Sequence, residues 1–338
     1  MLRSPVLKTP LLLGYTYVWA LFIYAGARFV VGDSVWWLAG IHTFSLYLLL
    51  PLPIVLGLSL WQRRYFLAIT TVIAVCGAAY RLYPYFLPKV TPGSAVGTEL
   101  NVLSYNMRAN PEGLELFLRE QGADIVFIQE NAELFASEGI ETLLELYPYQ
   151  KSQDEAWGNM LLSKYPVLHS ANLSGFGNSL PQRVVIDVKG QNVALYNVHL
   201  TWPIGKPRVR TGLPFELGAF TRYDDRARNT QIERLLDVTQ KEALPFLVVG
   251  DFNLSATSPT YTKLKLRWQD AFLNAGNGLG HSWPSKFDSG LKVPRLLRID
   301  YVWHSNDFLT SRAKVHPALA SDHFPISAKL ILKKFNNF

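Results

Sequence analysis

Residues 246–253 read Phe246-Leu247-Val248-Val249-Gly250-Asp251-Phe252-Asn253. An apolar run of strand length ends on a glycine, and an acid and an amide follow at once. A strand covered on both faces has that composition, and polar groups at strand ends are where binding and catalytic side chains commonly sit. Taken alone the pattern also fits an ordinary turn. Working outward, similar strand ends occur at Ser104-Tyr105-Asn106, Ile128-Gln129-Glu130, Asn197-Val198-His199 and Ser321-Asp322-His323, the last preceded by Ile299-Asp300-Tyr301. Five such ends in series make accident improbable.

Between them short apolar strands alternate with helical patterns. Strands are expected at Leu100 to Tyr105, Ile125 to Gln129, Asn159 to Ser163, Val184 to Val188, Val193 to Val198, Phe246 to Val249, Ile299 to His304 and Ile326 to Leu332. Helices are expected at Pro111 to Gln121 and Arg226 to Lys241, giving an α/β rhythm without repeats or low-complexity tracts. Residues 99–333 form one domain on this reading, followed by a short tail at 334–338.

The first 98 residues are of another kind. They hold seven Lys and Arg against one acid, Asp33, so they carry +6 of the total charge of +7. The basic balance therefore does not belong to the α/β domain, and a broad basic face of the kind nucleic acids require is not implied. Leu11 to Val31 carries one charge, Arg28, and Val35 to Trp61 carries none, each long enough to cross a bilayer core. Tyr65 to Tyr80 is a third, shorter apolar stretch, followed by Arg81 and the aromatic residues Tyr83, Tyr85 and Phe86. Residues 1–87 are read as an anchor of about three transmembrane helices, and Pro88 to Thr98 as a linker. Arg3, Lys8 and the pair Arg63-Arg64 would mark the cytoplasmic ends, which places the domain on the extracytoplasmic side of the cell membrane. A cleaved signal peptide is the alternative for the first segment, given Ala25-Gly26-Ala27. The single cysteine, Cys76, excludes an intrachain disulfide and a thiolate zinc cluster.

In order and spacing the five strand ends resemble the endonuclease/exonuclease/phosphatase family, which includes DNase I-like nucleases, abasic-site endonucleases, inositol polyphosphate 5-phosphatases and neutral sphingomyelinases. Gly158-Asn159-Met160-Leu161-Leu162-Ser163, Arg183, and Arg228 with Gln231 ahead of the Gly-Asp-Phe-Asn strand add to the likeness. The resemblance implies an α/β (α+β) four-layer sandwich, DNase I-like, with two packed mixed β-sheets flanked by helices and preceded here by the transmembrane helices. It further implies a divalent-metal-dependent hydrolysis of phosphate esters.

Those residue types suit that chemistry, because a hard cation neutralises phosphate charge while water attacks in line with the leaving oxygen. Glu130, Asp322 and the amide oxygen of Asn106 are the expected metal ligands, a sparse oxygen set suited to Mg²⁺, with Mn²⁺ acceptable. By resemblance Asp251 positions or deprotonates the attacking water and Asn253 holds water or phosphoryl oxygens. His323, oriented by Asp300, and His199 serve the scissile phosphate or the leaving group, and either could be the acid. Asn159, Arg183 and Arg228 are candidate substrate contacts. His42, His169, His281, His304 and His316 lack such surroundings and are read as ordinary residues. No Gly-x-Ser-x-Gly elbow, His-Glu-x-x-His pair or phosphate loop ending in Lys-Ser or Lys-Thr is present.

The segment Trp202 to Arg228 is basic and aromatic and could grip an anionic substrate or dip toward lipid. The favoured substrate is a lipid or lipid-linked phosphoester at the outer membrane face, with the bilayer as partner and no protein partner indicated. An extracytoplasmic endonuclease or exonuclease on DNA or RNA is the alternative, and a non-catalytic binding protein on the same fold is a third reading.

Overall fold

The structure is a computed structural model that describes residues 8–89, 96–132, 134, 140–153, 158–177, 180–205, 222–286 and 290–334. These divide into two compact units. One comprises the described residues up to Leu87 together with 222–224 and Thr257–Pro259, and the other comprises the rest.

The first unit is built on α1 (Lys8–Val31), α2 (Trp36–Thr43), α3 (Leu52–Trp61) and α4 (Tyr65–Leu82). Pro10–Val31 and Tyr65–Tyr85 are long and apolar enough to cross a membrane. The stretch from Val35 to Trp61, expected as one continuous span, is instead broken, its helices meeting at 74°. The cause lies in its sequence. Pro51 and Pro53 cannot donate the hydrogen bonds that would carry a helix back through Phe44–Leu50, and Pro51 instead sits at the start of α3. Leu67, early in α4, packs on Leu11 and Val18, early in α1. Arg81, at the far end of α4, lies near Tyr24 toward the far end of α1. The two long helices therefore run parallel, and the broken segment returns the chain between them. Gly14 is where they approach closely: a Cβ there would lie 3.3 Å from Leu67 and 3.4 Å from Val55 of α3.

The second unit contains β1 (Gly97–Asn106), α5 (Leu114–Gln121), β2 (Ile125–Gln129), α6 (Ile140–Leu146), β3 (Tyr149–Ser152), β4 (Met160–Ser163), β5 (Val167–Asn172), β6 (Gln182–Val188) and β7 (Gln191–His199). It continues with α7 (Arg226–Gln240), β8 (Phe246–Asp251), α8 (Pro259–Lys265), β9 (Gln269–Asp270), α9 (Ala271–Ala275), β10 (Asp300–His304), β11 (Phe308–Val315) and β12 (Ile326–Lys333). One six-stranded sheet has the order β11-β12-β1-β2-β4-β3 and the other β5-β6-β7-β8-β10-β9. Gly97 and Thr98, expected in the linker, already belong to β1 and pair with Lys333 and Leu332; residues 90–95 of that linker lie outside the described residues.

Side-chain alternation fixes the layers. Val102, Phe127, Leu161, Ala328 and Leu330 from one sheet meet Val184, Leu195, Leu247, Val249 and Val302 from the other in a dry core. On the outer face of the first sheet lie Leu114, Phe117 and Leu118 of α5 and Leu143 of α6. On that of the second lie Ile232 and Leu235 of α7, with Tyr261, Trp268 and Trp303. The result is helix, sheet, sheet, helix.

Within each sheet the central pair is parallel, β1 with β2 and β7 with β8. Parallel partners end at the same edge. Asn106 is level with Gln129, His199 with Asp251, and the antiparallel β10 brings Asp300 opposite Asp251. Gly250 makes the close pairing possible: it has φ +139° and a Cβ there would meet the Val198 carbonyl oxygen at 2.0 Å. Gly250→Ala is expected to lower unfolding stability by about 2–4 kcal/mol, a clash that backbone cannot relieve; the thermal midpoint followed by tryptophan fluorescence checks this.

Candidate functional site

Every strand end singled out in the sequence contributes to a single polar cluster, and the cluster is built from the sheets inward. Gln129 and Asn197 lie just behind it, facing each other across the two sheets. The Gln129 amide nitrogen donates to Asn197 Oδ1 at 2.8 Å, and Asn197 Nδ2 donates to the carbonyls of Ile128 (3.2 Å) and Met160 (3.0 Å). Both side chains are buried. One residue beyond Gln129 comes Glu130, and two beyond Asn197 comes His199.

Asn106 Nδ2 donates to Glu130 Oε1 at 2.9 Å and to Asp251 Oδ2 at 3.2 Å, so one amide spans carboxylates from the two sheets. His199 Nε2 is 3.6 Å from the same Glu130 oxygen and 3.8 Å from Asp251 Oδ2. His323 Nε2 stands 3.7 Å from Asp251 Oδ2, while its Nδ1 bonds Asp300 at 3.0 Å. Asp300 in turn accepts from Ser282 Oγ at 2.6 Å. The two imidazoles thus flank one buried carboxylate oxygen at distances that a water or phosphoryl oxygen can bridge.

Asn253 holds that carboxylate from below. Its backbone N–H donates to Asp251 Oδ1 at 2.8 Å, and its Nδ2 donates to the Leu200 carbonyl at 2.9 Å. Its Oδ1 is buried with no hydrogen-bond partner among the described residues, an acceptor fixed in place and free for a ligand. Backbone strain accompanies this arrangement. Arg108, Ala109, Glu130 and Asn253 all have positive φ although none is glycine, each at a cost of roughly 1–3 kcal/mol that the surrounding packing must offset.

Burial raises the pKa of Asp251 above the carboxylate range, with Asp300 adding to the effect and His323 and His199 opposing it. For His323, burial disfavours the cation, but the carboxylates of Asp300 and Asp251 outweigh it and lift the imidazole to about 10.

Asp322 lies beside this group with its own partners. Its Oδ2 accepts from Trp283 Nε1 at 3.0 Å and from Arg108 Nη1 at 3.1 Å. The Arg108 backbone N–H donates to Asn106 Oδ1 at 3.1 Å, so Asn106 turns its nitrogen, not its oxygen, toward the carboxylates. Neither Arg108 nor Trp283 is prominent in the sequence; Arg108 follows Asn106 by two positions, which was the one available signal. Trp283 also meets Trp202 edge to face at 5.5 Å.

The three candidate substrate contacts fare differently. Asn159 is close by, donating Nδ2 to the Asn197 carbonyl at 3.3 Å, with its Oδ1 buried and without a partner among the described residues. Arg228 is fully buried and acts beneath the site: Nη1 donates to the Asn253 carbonyl at 2.7 Å and Nη2 pairs with Asp225 at 3.0 Å. Arg183 is not brought to the cluster. It alternates with core-facing Val184 and so points to the helix side of the sheet, where Glu242 holds it at 2.7 Å beside Tyr196. Of the basic segment Trp202 to Arg228, residues 206–221 lie outside the described residues.

Glu130 and Asp251 converge as carboxylates on the Asn106 amide nitrogen, and with that amide turned over its oxygen would join the Glu130 carboxylate in the donor chemistry of a small hard cation. Asp251, Asp300 and His323 also form a compact buried group. There, however, His323 Nδ1 and both Asp300 oxygens are committed to each other and to Ser282, which describes an oriented imidazole better than a cation site.

Residues 100–323 match the model of the Endonuclease/Exonuclease/phosphatase family, and the chain belongs to that family, whose members are phosphoester hydrolases and nucleases that use a divalent metal. No curated protein matches the chain in sequence. Among solved structures it is similar to the endonuclease/exonuclease/phosphatase from Beutenbergia cavernae (17% identity, 70% of this chain and 72% of that one, TM-score 0.52). It is also similar to a family protein from Bacteroides thetaiotaomicron (17%, 71% and 100%, 0.52). TDP2 of D. rerio complexed with single strand DNA product is a third (18%, 69% and 99%, 0.51). At these identities the likeness is one of fold.

The raised His323 pKa stabilises the fold below the ordinary imidazole value of about 6.5, and that contribution is lost as pH rises toward about 10. In chelator-treated protein, Asp300→Asn should bring the His323 ring titration down toward the ordinary range and flatten the loss of stability on the alkaline side. Proton NMR of the imidazole and thermal midpoints between neutral and alkaline pH read the two effects.

Proposed function

We propose that this chain is a membrane-anchored, divalent-metal-dependent phosphoesterase acting on a lipid or lipid-linked phosphoester at the outer membrane face. The observation that carries the reaction type is the position of Asp251 Oδ2, held by Asn106 and flanked by the Nε2 atoms of His199 and His323.

Asp251 is the group that orients the attacking water and takes its proton. Burial raises its proton affinity toward neutrality, the range in which a general base is effective. Asn253 Oδ1 accepts a hydrogen from the same water and fixes its direction. His323, kept cationic by Asp300, donates to a phosphoryl oxygen as negative charge grows there. His199, less buried and level with Glu130, is placed for the phosphoryl group or the leaving oxygen. Glu130, with the amide of Asn106 turned over to present its oxygen and Asp322 after Arg108 has moved aside, would hold Mg²⁺ or Mn²⁺. Such a cation supplies charge neutralisation to the phosphate and to the leaving oxygen. Asn159 is a further phosphate contact, while Arg228 supports the loop of Asn253 and Arg183 takes no part.

The membrane substrate rests on the first unit. Two helices of spanning length and a returning segment between them would carry the chain across three times, with Arg63 and Arg64 at the opposite end from Arg81. A tether of this kind raises the local concentration of membrane-borne substrates. A second reading, an anchored nuclease, is favoured by the aromatic pair Trp202–Trp283 beside Asp322, a surface on which a base could stack. The D. rerio TDP2 complex holds single strand DNA product on this fold.

Asp251→Ala and His323→Ala should each lower turnover by roughly 10²–10⁴-fold without a comparable loss of stability, and chelation should abolish activity until Mg²⁺ is restored. The purified chain is assayed on phospholipid vesicles, a polyprenyl pyrophosphate, supercoiled DNA and short RNA. Release from lipid substrates alone supports the first reading. Nicking of DNA replaces it with the second, and an active double variant would overturn the site assignment.

A further inference from the structure

Arg108 engages two of the groups that would take a cation. Its backbone N–H donates to Asn106 Oδ1 at 3.1 Å, and its Nη1 lies 3.1 Å from Asp322 Oδ2. The turn that carries it is fastened to the third. Ala109 N–H donates to the Glu130 carbonyl at 2.9 Å, and Asn110 N–H donates back to the Met107 carbonyl at 2.9 Å. Arg108 and Ala109 have φ of 48° and 53°, so the turn keeps two consecutive residues in a conformation that L side chains rarely adopt. Hydrogen bonds therefore fix the backbone here, whereas the Arg108 side chain reaches solvent: 43% of it is exposed, against 12% for Asp322.

Asp322 does not depend on Arg108 for its position. Trp283 Nε1 donates to the same Oδ2 at 3.0 Å. Trp283 is itself tied to Leu297, donating to its carbonyl at 3.0 Å and accepting from its N–H at 2.7 Å. The Asp322 carbonyl accepts the Ser285 N–H at 2.7 Å. A guanidinium that leaves Asp322 thus leaves the carboxylate in place.

A divalent cation and a guanidinium on one carboxylate oxygen repel each other at close range, and turning Asn106 over gives up the bond from the Arg108 N–H. A cation held by Glu130, Asn106 and Asp322 is therefore in competition with Arg108. Once displaced, the guanidinium needs another acceptor, and the phosphate of an ester lying against Asp251 offers oxygens that suit its planar fork. Arg228, bonded to the Asn253 carbonyl and Asp225, and Arg183, bonded to Glu242, are committed elsewhere.

We propose that Arg108 is a substrate-binding residue that exchanges partners: it is the counter-ion of Asp322 in the arrangement seen here, and it turns to the substrate's phosphate when a cation takes Asp322. Cation and phosphate then favour each other's binding, because each takes one of two groups that are otherwise bound to one another. The inference rests on the divalent-metal reading above and deepens it by naming a residue that grips the phosphate; it is independent of whether that phosphate belongs to a lipid or a nucleic acid.

Binding of Mn²⁺ to the full chain in detergent, followed by the electron paramagnetic resonance signal of the free ion, tests it, with inorganic phosphate as the probe for the phosphoryl group. Without phosphate, Arg108→Gln should bind Mn²⁺ roughly tenfold more tightly than the parent, since a competitor worth one charge-assisted contact is gone. With saturating phosphate the order should reverse. The parent's guanidinium has then moved to the anion, and the variant, lacking it, should hold Mn²⁺ several-fold less tightly. Arg108→Lys, which keeps the charge but not the fork, should show both changes in smaller measure. Equal tightening by Arg108→Gln with and without phosphate would make Arg108 a bystander charge and overturn the proposal; so would weaker Mn²⁺ binding in both conditions, the mark of a purely structural residue. No Mn²⁺ uptake by the parent or either variant would instead remove the metal-dependent reading on which the proposal stands. Binding is read without turnover, so the reversal in a chain that hydrolyses no lipid would sink the lipid-substrate reading and leave this exchange standing.

Discussion

The amide bridge between Gln129 and Asn197 is the constraint on which the catalytic-domain geometry depends. Two sheets packed through aliphatic side chains can slide, because dispersion contacts are non-directional. Buried amides cannot. Gln129 on one sheet and Asn197 on the other satisfy each other and two further carbonyls, and any slip would leave several polar groups unpaired at about 1–3 kcal/mol each. The bridge sits one residue behind Glu130 and two behind His199. It therefore sets the spacing between the half of the cluster that one sheet supplies and the half that the other supplies.

With the spacing fixed, electrostatics accounts for the rest of the site. Asp251 and Asp300 are buried near each other, an arrangement that is costly unless cations or donors intervene. His323 lies between them, bonded to one and 3.7 Å from the other. Asn106 and Asn253 contribute neutral donors, and Arg228 secures the carbonyl of Asn253 from beneath. Positive φ at Glu130 and Asn253 turns both side chains off the ends of their strands and inward, strain that is tolerated because the sheets on either side are rigid.

Much of this was legible in the sequence because a strand's end is written in two adjacent signals, an apolar run and an abrupt polar residue. β2, β8 and β10 were legible for that reason, as was the order in which Asn106, Glu130, His199, Asp251, Asp300 and His323 occur. The strands that went unread are of a different kind. β5 (Val167–Asn172) and β11 (Phe308–Val315) lie at sheet edges and mix polar residues with apolar ones in equal number, so their hydrophobic signal is half as dense. β3 is short and likewise at an edge. Arg183 was misplaced because chain order carries no information about which face of a strand a side chain takes; parity with Val184 decides it. The break after α2 was masked by an uncharged composition, although Pro51 and Pro53 were visible within it. Ser282, Trp283 and Arg108 gave no motif, since their part in the site comes from tertiary approach alone.

The place of β12 carries a consequence for how the molecule comes into being. It is the last strand of its sheet along the chain, yet it lies between β11 and β1, and His323 and Asp322 stand just before it. A nascent polypeptide can form its N-terminal helices and most of its strands while this interior slot is still vacant. Until β12 enters, β1 lacks one of its two neighbours and the imidazole that faces Asp251 is missing. The polar cluster is thus completed last, and a ribosome that stalls ahead of residue 323 leaves a chain without β12 and without the imidazole that faces Asp251.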